Sequence, residues 1–135
     1  MSTKLASWIA DHGVSEVECI VPDMNGVQRG KVLRPEELAR AFRDGRPLPG
    51  SILGLDITGA DVEETGLVWE DGDADRLLAL DESTLRPIPW REGAAQIIGG
   101  LADLDGTPFY GDCRQVLRQV AKRFEVHGLT PYAAI

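Results

Sequence analysis

VSEVECIVPDMNGVQRGKVLRPEELARAFRDG, residues 14–45, decides the fold. Val14, Val17, Cys19 and Val21 are apolar, with Glu16 and Glu18 between some of them, and this pattern predicts a strand over 16–22. Asp23-Met24-Asn25-Gly26 ends in Asn-Gly, whose backbone freedom suits a tight hairpin, so residues 27–34 read as the partner strand. Pro35 can sit in the first turn of a helix, and Glu36 and Glu37 suit its positive end. Leu38, Ala41 and Phe42 give that helix a buried face, and Gly45 stops it.

Working outward, residues 3–12 predict a short helix capped by Ser2 or Thr3, with Leu5, Trp8 and Ile9 on one face and Gly13 as its stop. Residues 45–50, GRPLPG, read as a loop, and SILGLDITG, 51–59, as a short apolar strand ending in glycine. A polar connection follows. Residues 76–80 predict a strand, then a turn and an extended piece towards Trp90; residues 94–106 predict another strand with an Asp105-Gly106 turn. Some five strands around one central helix is an α+β pattern. Asp112 can then cap a helix striped by Val116, Leu117, Val120, Ala121 and Phe124, stopped by Gly128, and LTPYAAI, 129–135, reads as a strand. That last helix and strand have little to pack on, so the chain is expected to be the front part of something longer.

At 43 % hydrophobic, 135 residues can bury a core. A net charge of -8 opposes nucleic-acid binding, because phosphates would be repelled. Two distant cysteines, Cys19 and Cys113, form no CxxC motif and no disulfide framework, which fits a reducing cytosol. MSTKLASWIADHG has no long apolar run and reads as neither signal peptide nor membrane span.

Residues 71–82, DGDADRLLALDE, place Asp71, Asp73, Asp75 and Glu82 where a calcium loop wants carboxylates. Its sixth position is Arg76 rather than glycine, and a strand rather than a helix follows, so the stretch reads as a solvated turn. An ion-binding acidic protein built on it is the weakest of three functional readings.

Four segments in order carry a family resemblance: VPDMNGVQRGKVLRPEEL, LPGSILGLDITGADVEETGL, GDADRLLALDESTLRPIPW and DCRQVLRQVAKRFEVHGLTPYAAI. Together they resemble the amino-terminal region of the glutamine synthetase superfamily, and most closely its γ-glutamylputrescine (polyamine) synthetase branch. The branch's Asp-x-Asn-Gly-x-x-Arg-Gly-Lys hairpin corresponds to Asp23 to Lys31. Its aliphatic-Asp-Ile-x-Gly and Val-Glu-Glu-x-Gly-Leu stretches correspond to Leu55 to Gly59 and Val62 to Leu67.

After the N-terminal helix over 1–13, the resemblance, which covers roughly 14–135, implies a ubiquitin-like β-grasp domain over 14–108 and the first helix and strand of a catalytic domain over 109–135. It implies ATP-dependent ligation of glutamate's γ-carboxylate to an amine through a phosphorylated carboxylate, with Mg or Mn neutralising the phosphate charge. The family's metal-binding Glu-x-Glu pair would come just after Ile135, so no catalysis is expected from residues 1–135 alone. Subunits would form a homo-oligomeric ring, in the cytoplasm, with each active site between neighbours. In glutamine synthetases the lent loop reads Asp-Gly-Ser-Ser; here it reads Pro49-Gly50-Ser51-Ile52. Pro49 supplies no carboxylate for ammonium, which favours a larger amine such as putrescine. Asp56, Glu63 and Glu64 are then candidates for holding its cationic end.

Other residues carry weaker signals. Arg29 and Lys31 follow the hairpin turn and could face a neighbouring acidic site, but such positions are mostly solvated. His12 and His127 adjoin helix-stopping glycines, and His127 suits a helix dipole. Cys113 opens a helix without a base beside it, and Ser51 has no base to make it a nucleophile. Of Trp8, Trp69 and Trp90, Trp69 best suits an interface. The competing reading to a ligase is a stand-alone β-grasp binding module without chemistry.

Overall fold

The computed structural model describes residues 3–70 and 72–134. Helix α1 spans Thr3–Asp11, and its Leu5 and Ile9 are buried as expected. The caps proposed for it fall on Ser2, outside the described residues, and on Thr3, whose side chain is likewise undescribed. Strands β1 (Glu16–Pro22) and β2 (Gln28–Leu33) form the antiparallel hairpin, with Val17 opposite Leu33 and Pro22 opposite Gln28. Helix α2 (Pro35–Asp44) starts on Pro35, and the Arg34 amide donates to Glu37 Oε2 at 3.1 Å, satisfying a donor that the helix leaves free.

Six strands make one mixed sheet in the order β2-β1-β6-β4-β3, with β5 pairing β6 off that path. Here β3 is Arg46–Pro49, β4 Asp75–Leu80, β5 Arg86–Pro87 and β6 Ala94–Ala102. At the centre β1 and β6 run parallel, with Glu16 opposite Ala94 and Ile20 opposite Ile98; the other pairings are antiparallel. Val17, Cys19 and Val21 alternate inward from β1 and meet Leu33, Leu38, Leu48, Leu78, Ile97, Leu101 and Phe109 in one core. Each large side chain so removed from water contributes about 1.5–3 kcal/mol. The fold is mixed α/β.

Three expectations are corrected. The 45–50 stretch is not a loop throughout: residues 46–49 are strand β3, antiparallel to β4, with Pro47 opposite Leu77 and Pro49 opposite Asp75. Proline cannot donate to a ladder, and β3 tolerates two because it is an edge strand. Residues 51–59 are not a strand: Gly50–Leu53 is a 3-10 turn, and beyond it the chain closes on itself around Asp56. Residues 129–134 are exposed and join no strand. The Leu129 amide is taken by Phe124 O at 3.0 Å, and Pro131 has no donor to give a ladder; Ile135 lies outside the described residues.

Helix α3 spans Cys113–Val126, with the expected cap: Asp112 Oδ1 accepts from the Gln115 amide at 3.0 Å. Its apolar stripe is open to water, with Val116, Leu117, Val120 and Phe124 between 39 % and 67 % exposed. Asp81 holds the helix against the sheet, its Oδ2 lying 3.3 Å from Arg114 and 2.9 Å from Arg118. The Ser83 hydroxyl, followed by the Ser83 amide and the two arginine charges, outweighs burial and keeps the Asp81 carboxyl below the usual carboxylate range. Among the described residues no helix is long and apolar enough to cross a membrane.

Candidate functional site

The hairpin turn and the loop after the 3-10 turn meet. Asp23, whose side chain is fully buried, accepts at Oδ1 from the amides of Asn25 and Val27, both at 2.8 Å, and at Oδ2 from Arg29 Nε at 2.9 Å. Burial pushes the Asp23 carboxyl up, but the Arg29 hydrogen bond, the two amides and the Arg29 charge together hold it below the usual carboxylate range. Arg29 Nη2 donates onward to the Asp56 carbonyl at 2.9 Å, and Asn25 Nδ2 donates to the Leu55 carbonyl at 3.0 Å. Two side chains of the hairpin, Asn25 in its turn and Arg29 in β2, therefore grip two successive carbonyls of the facing loop.

That loop is closed by its own bonds. The Val62 amide donates to Gly54 O at 3.2 Å, and Leu55 and Asp61 form a β-bridge. Asp56 Oδ1 accepts from the Thr58 hydroxyl at 2.7 Å and from the amides of Thr58 at 2.8 Å and Ala60 at 3.0 Å. The Thr58 hydroxyl and then the Ala60 amide hold the Asp56 carboxyl below its ordinary range. At Gly54 a Cβ would stand 2.8 Å from Thr65 Oγ1, so only glycine lets the following 3-10 turn, Glu63–Thr65, pack this close.

The candidate amine-site residues are thus distributed unevenly. Pro49 ends β3 opposite Asp75, the Gly50 amide donates to Ala74 O at 3.1 Å, and Ser51 is buried. Asp56 turns its carboxylate into its own loop, whereas Glu63 and Glu64 stand exposed on the turn that follows. The three acids do not converge on one point. Among the described residues no group of three or more His, Cys, Asp or Glu could hold a metal ion. The described side chains therefore do not by themselves make a divalent-metal site.

The other singled-out residues have structural partners. Lys31 Nζ donates to Pro47 O at 3.1 Å. His12 stacks on Trp8, with ring centroids 4.2 Å apart, and its Nδ1 lies 2.8 Å from Trp8 O. His127 is the C-cap residue of α3. The Cys113 thiol donates to Pro22 O at 3.3 Å, tying α3 to the end of β1. Trp69 and Trp90 are exposed and Trp8 packs on the core. In the 71–82 stretch Asp71 lies outside the described residues, and Asp75 already opens β4. Arg76 lies 3.0 Å from Asp103 and 4.6 Å over the Phe109 ring.

Sequence reading missed the Asp23–Arg29–Asp56 connection. Its only signal is the spacing of Asp23 and Arg29 around an Asn-Gly turn, which puts both on one side of a hairpin. It also missed an apolar groove of about 430 Å³ lined by Met24, Leu53, Leu67, Tyr110, Cys113 and Val116, between the hairpin turn and the start of α3.

No protein-family profile matches the chain. The chain is 32 % identical over 135 residues to the glutamate–isopropylamine ligase of a Pseudomonas species, covering 97 % of this chain and 29 % of that protein. It is 33 % identical over 124 residues to the γ-glutamylputrescine synthetase PuuA of Escherichia coli K12, covering 88 % of this chain and 25 % of that protein. The solved structure of a GmaS/ADP complex matches with a TM-score of 0.72 at 25 % identity, covering 93 % of this chain and 26 % of that one. The chain thus spans between a quarter and a third of the length of these relatives. Its homologues are glutamine synthetase family members, glutamate–amine ligases among them.

Proposed function

We propose, on the premise that the chain's homologues are glutamate–amine ligases, that residues 1–135 are the amino-terminal part of an ATP-dependent ligase that joins glutamate to an amine larger than ammonia. The reaction would pass the γ-phosphoryl group of ATP to glutamate's γ-carboxylate, and the amine nitrogen would then displace phosphate. Putrescine or another polyamine is the favoured amine. The observation that carries this choice is Pro49, which stands where the resembled loop of glutamine synthetases has its ammonium-binding aspartate and offers no carboxylate. Glu63 and Glu64, exposed on the 3-10 turn Glu63–Thr65, would meet the second cationic end of a diamine.

On this reading residues 14–108 form a β-grasp domain. Support comes from a parallel β1–β6 pair flanked by β2 on one side and β4–β3 on the other, with α2 following the first hairpin. Residues from 109 onward would open the catalytic domain, and the exposed stripe of α3 supports this over a self-contained binding module. ATP and Mg or Mn would be held by residues outside 1–135. The active site would lie between neighbours in a cytoplasmic ring-forming homo-oligomer.

The test is a ligase assay on the protein expressed from its complete reading frame, with ATP, glutamate, Mg and a panel of amines including ammonium. Putrescine or a longer polyamine is expected to give the highest kcat/KM, read as ADP release with the mass of the γ-glutamyl product. Ammonium at equal or higher kcat/KM would refute the choice of amine. The same assay on residues 1–135 alone is expected to show no turnover.

A further inference from the structure

We propose that Arg29 is a positioning residue for the amine site, acting through the loop 54–62 that carries Glu63 and Glu64; the inference rests on the ligase reading above. Four observations lead there. The loop is closed on itself, so its internal bonds fix its shape, and its attachment to the core lies outside it, at Leu53 and Leu67. Its apolar tip residue, Ile57, is 73 % exposed and lies outside the core. What crosses from the body of the domain to its carbonyls is polar: Arg29 Nη2 to Asp56 O and Asn25 Nδ2 to Leu55 O. Finally, the arginine is itself immobilised, because the fully buried Asp23 carboxylate takes its Nε while two amides fix that carboxylate.

A guanidinium can serve both partners at once because its donors diverge in one rigid plane. Nε faces Asp23 and Nη2 faces the loop. A lysine at the same place would satisfy the buried carboxylate with a compact ammonium but would not span both acceptors. The hairpin and the candidate amine loop are therefore joined, and Arg29 adds to the hold that the buried Leu53 and Leu67, one on each side of the loop, give Glu63 and Glu64 relative to the sheet. This assigns a role to the arginine of the Asp-x-Asn-Gly-x-x-Arg stretch that touches neither substrate nor reacting atoms.

The experiment uses the complete protein, with putrescine as the probe amine, and three variants. Arg29→Lys keeps the charge beside Asp23, Asn25→Ala leaves the buried ion pair untouched, and Arg29→Ala removes both contacts. Arg29→Lys is expected to raise the putrescine KM about tenfold, the factor that loss of one charge-assisted hydrogen bond carries, while the KM for glutamate and for ATP stays within about twofold. Asn25→Ala is expected to move the putrescine KM in the same direction by less. Amide hydrogen exchange should quicken over 55–62 in both variants and stay unchanged in β6. An unchanged putrescine KM in an active Arg29→Lys enzyme overturns the inference and leaves the ligase reading standing, as does an equal rise in all three KM values. Wild-type protein that joins glutamate to no amine overturns both. Because Arg29→Ala strands a buried carboxylate, its loss of folding would not bear on the outcome, which the other two variants decide.

Discussion

Asp112 holds two backbone amides at once, that of Gln115 in α3 at one carboxylate oxygen and that of Leu101 in β6 at the other. The Asp112 side chain and Leu101 are fully buried, so the Leu101 amide has no water as a substitute. Replacing Asp112 with alanine removes a helix cap and leaves the Leu101 amide unsatisfied, an expected loss of about 2–4 kcal/mol. Urea unfolding monitored by circular dichroism measures it; a midpoint equal to wild type would show that the helix start is held by other contacts.

Asp23 gives the fold an acid-sensitive element. Its carboxyl lies below its ordinary 3.8 in the folded chain, so the charged form is favoured by folding. The stabilisation is therefore complete above the ordinary value and is lost as pH falls through the lower folded value. The melting temperature is expected to drop more steeply below pH 4 in wild type than in Asp23→Asn. Parallel curves for the two proteins would assign the acid sensitivity to other carboxylates.

Gly30 sits in β2 at φ 150°, and a Cβ there would lie 1.9 Å from the carbonyl oxygen of Cys19 on β1. No rotamer relieves a clash of that depth, since the backbone of residue 30 fixes the Cβ and the oxygen it meets is backbone. Gly30→Ala is expected to cost about 3 kcal/mol or more by prising apart the first hairpin. Thermal melting of the variant decides it, and a shift under a few degrees would mean that β2 relaxes outward at its free edge.

Cys19 illustrates the opposite sign. Burial, then the nearby Glu37 charge, pushes its thiol up from 9.0 to about 12. In the unfolded chain the thiol ionises above about pH 9, so the folded state loses this contribution as pH rises through that range. At pH 8 a thiol reagent is expected to leave Cys19 unmodified until denaturant is added, as mass mapping of the labelled peptide would show. Rapid labelling of native Cys19 would require the sheet to open at β1.

The stripe of α3 should govern how residues 1–135 behave in isolation. Leu117 and Phe124 are 67 % and 39 % exposed, so the isolated chain is expected to self-associate as its concentration rises. Leu117→Glu with Phe124→Glu is expected to restore a monomer while changing stability by no more than about 0.5 kcal/mol per site. Sedimentation velocity over a concentration series tests both halves of this.

Most of the architecture could be read from local chemistry. The β1–β2 hairpin, α2, β4, β6 and the Asp112 cap each combine a hydrophobic period with turn or cap residues, and those two signals agree. What escaped was set by distant partners. Residues 46–49 look like a loop because Pro47 and Pro49 cannot donate, yet β4 offers an edge that needs no donors from them. Residues 51–59 look like a strand because they are apolar, but Asp56 bonds its own loop and Gly54 admits Thr65. At the candidate site the acids were legible as residue types. Their orientation was not, because the Asp56 carboxylate is turned inward by Thr58 and Ala60 of its own loop.

The parallel pairing of β1 with β6 also sets the order in which the chain can assemble. Strand β1 finds β2 across the five residues 23–27, but its other edge waits for a partner separated from it by almost the whole domain. Closing that span is the slow entropic step, and local hairpins gain nothing from it. As the ribosome delivers the chain, the β1 edge stays unpaired until β6 emerges. That interval is when neighbouring nascent chains could add a strand of their own, so fast synthesis through residues 50–93 or chaperone cover over β1 would raise the yield of native protein.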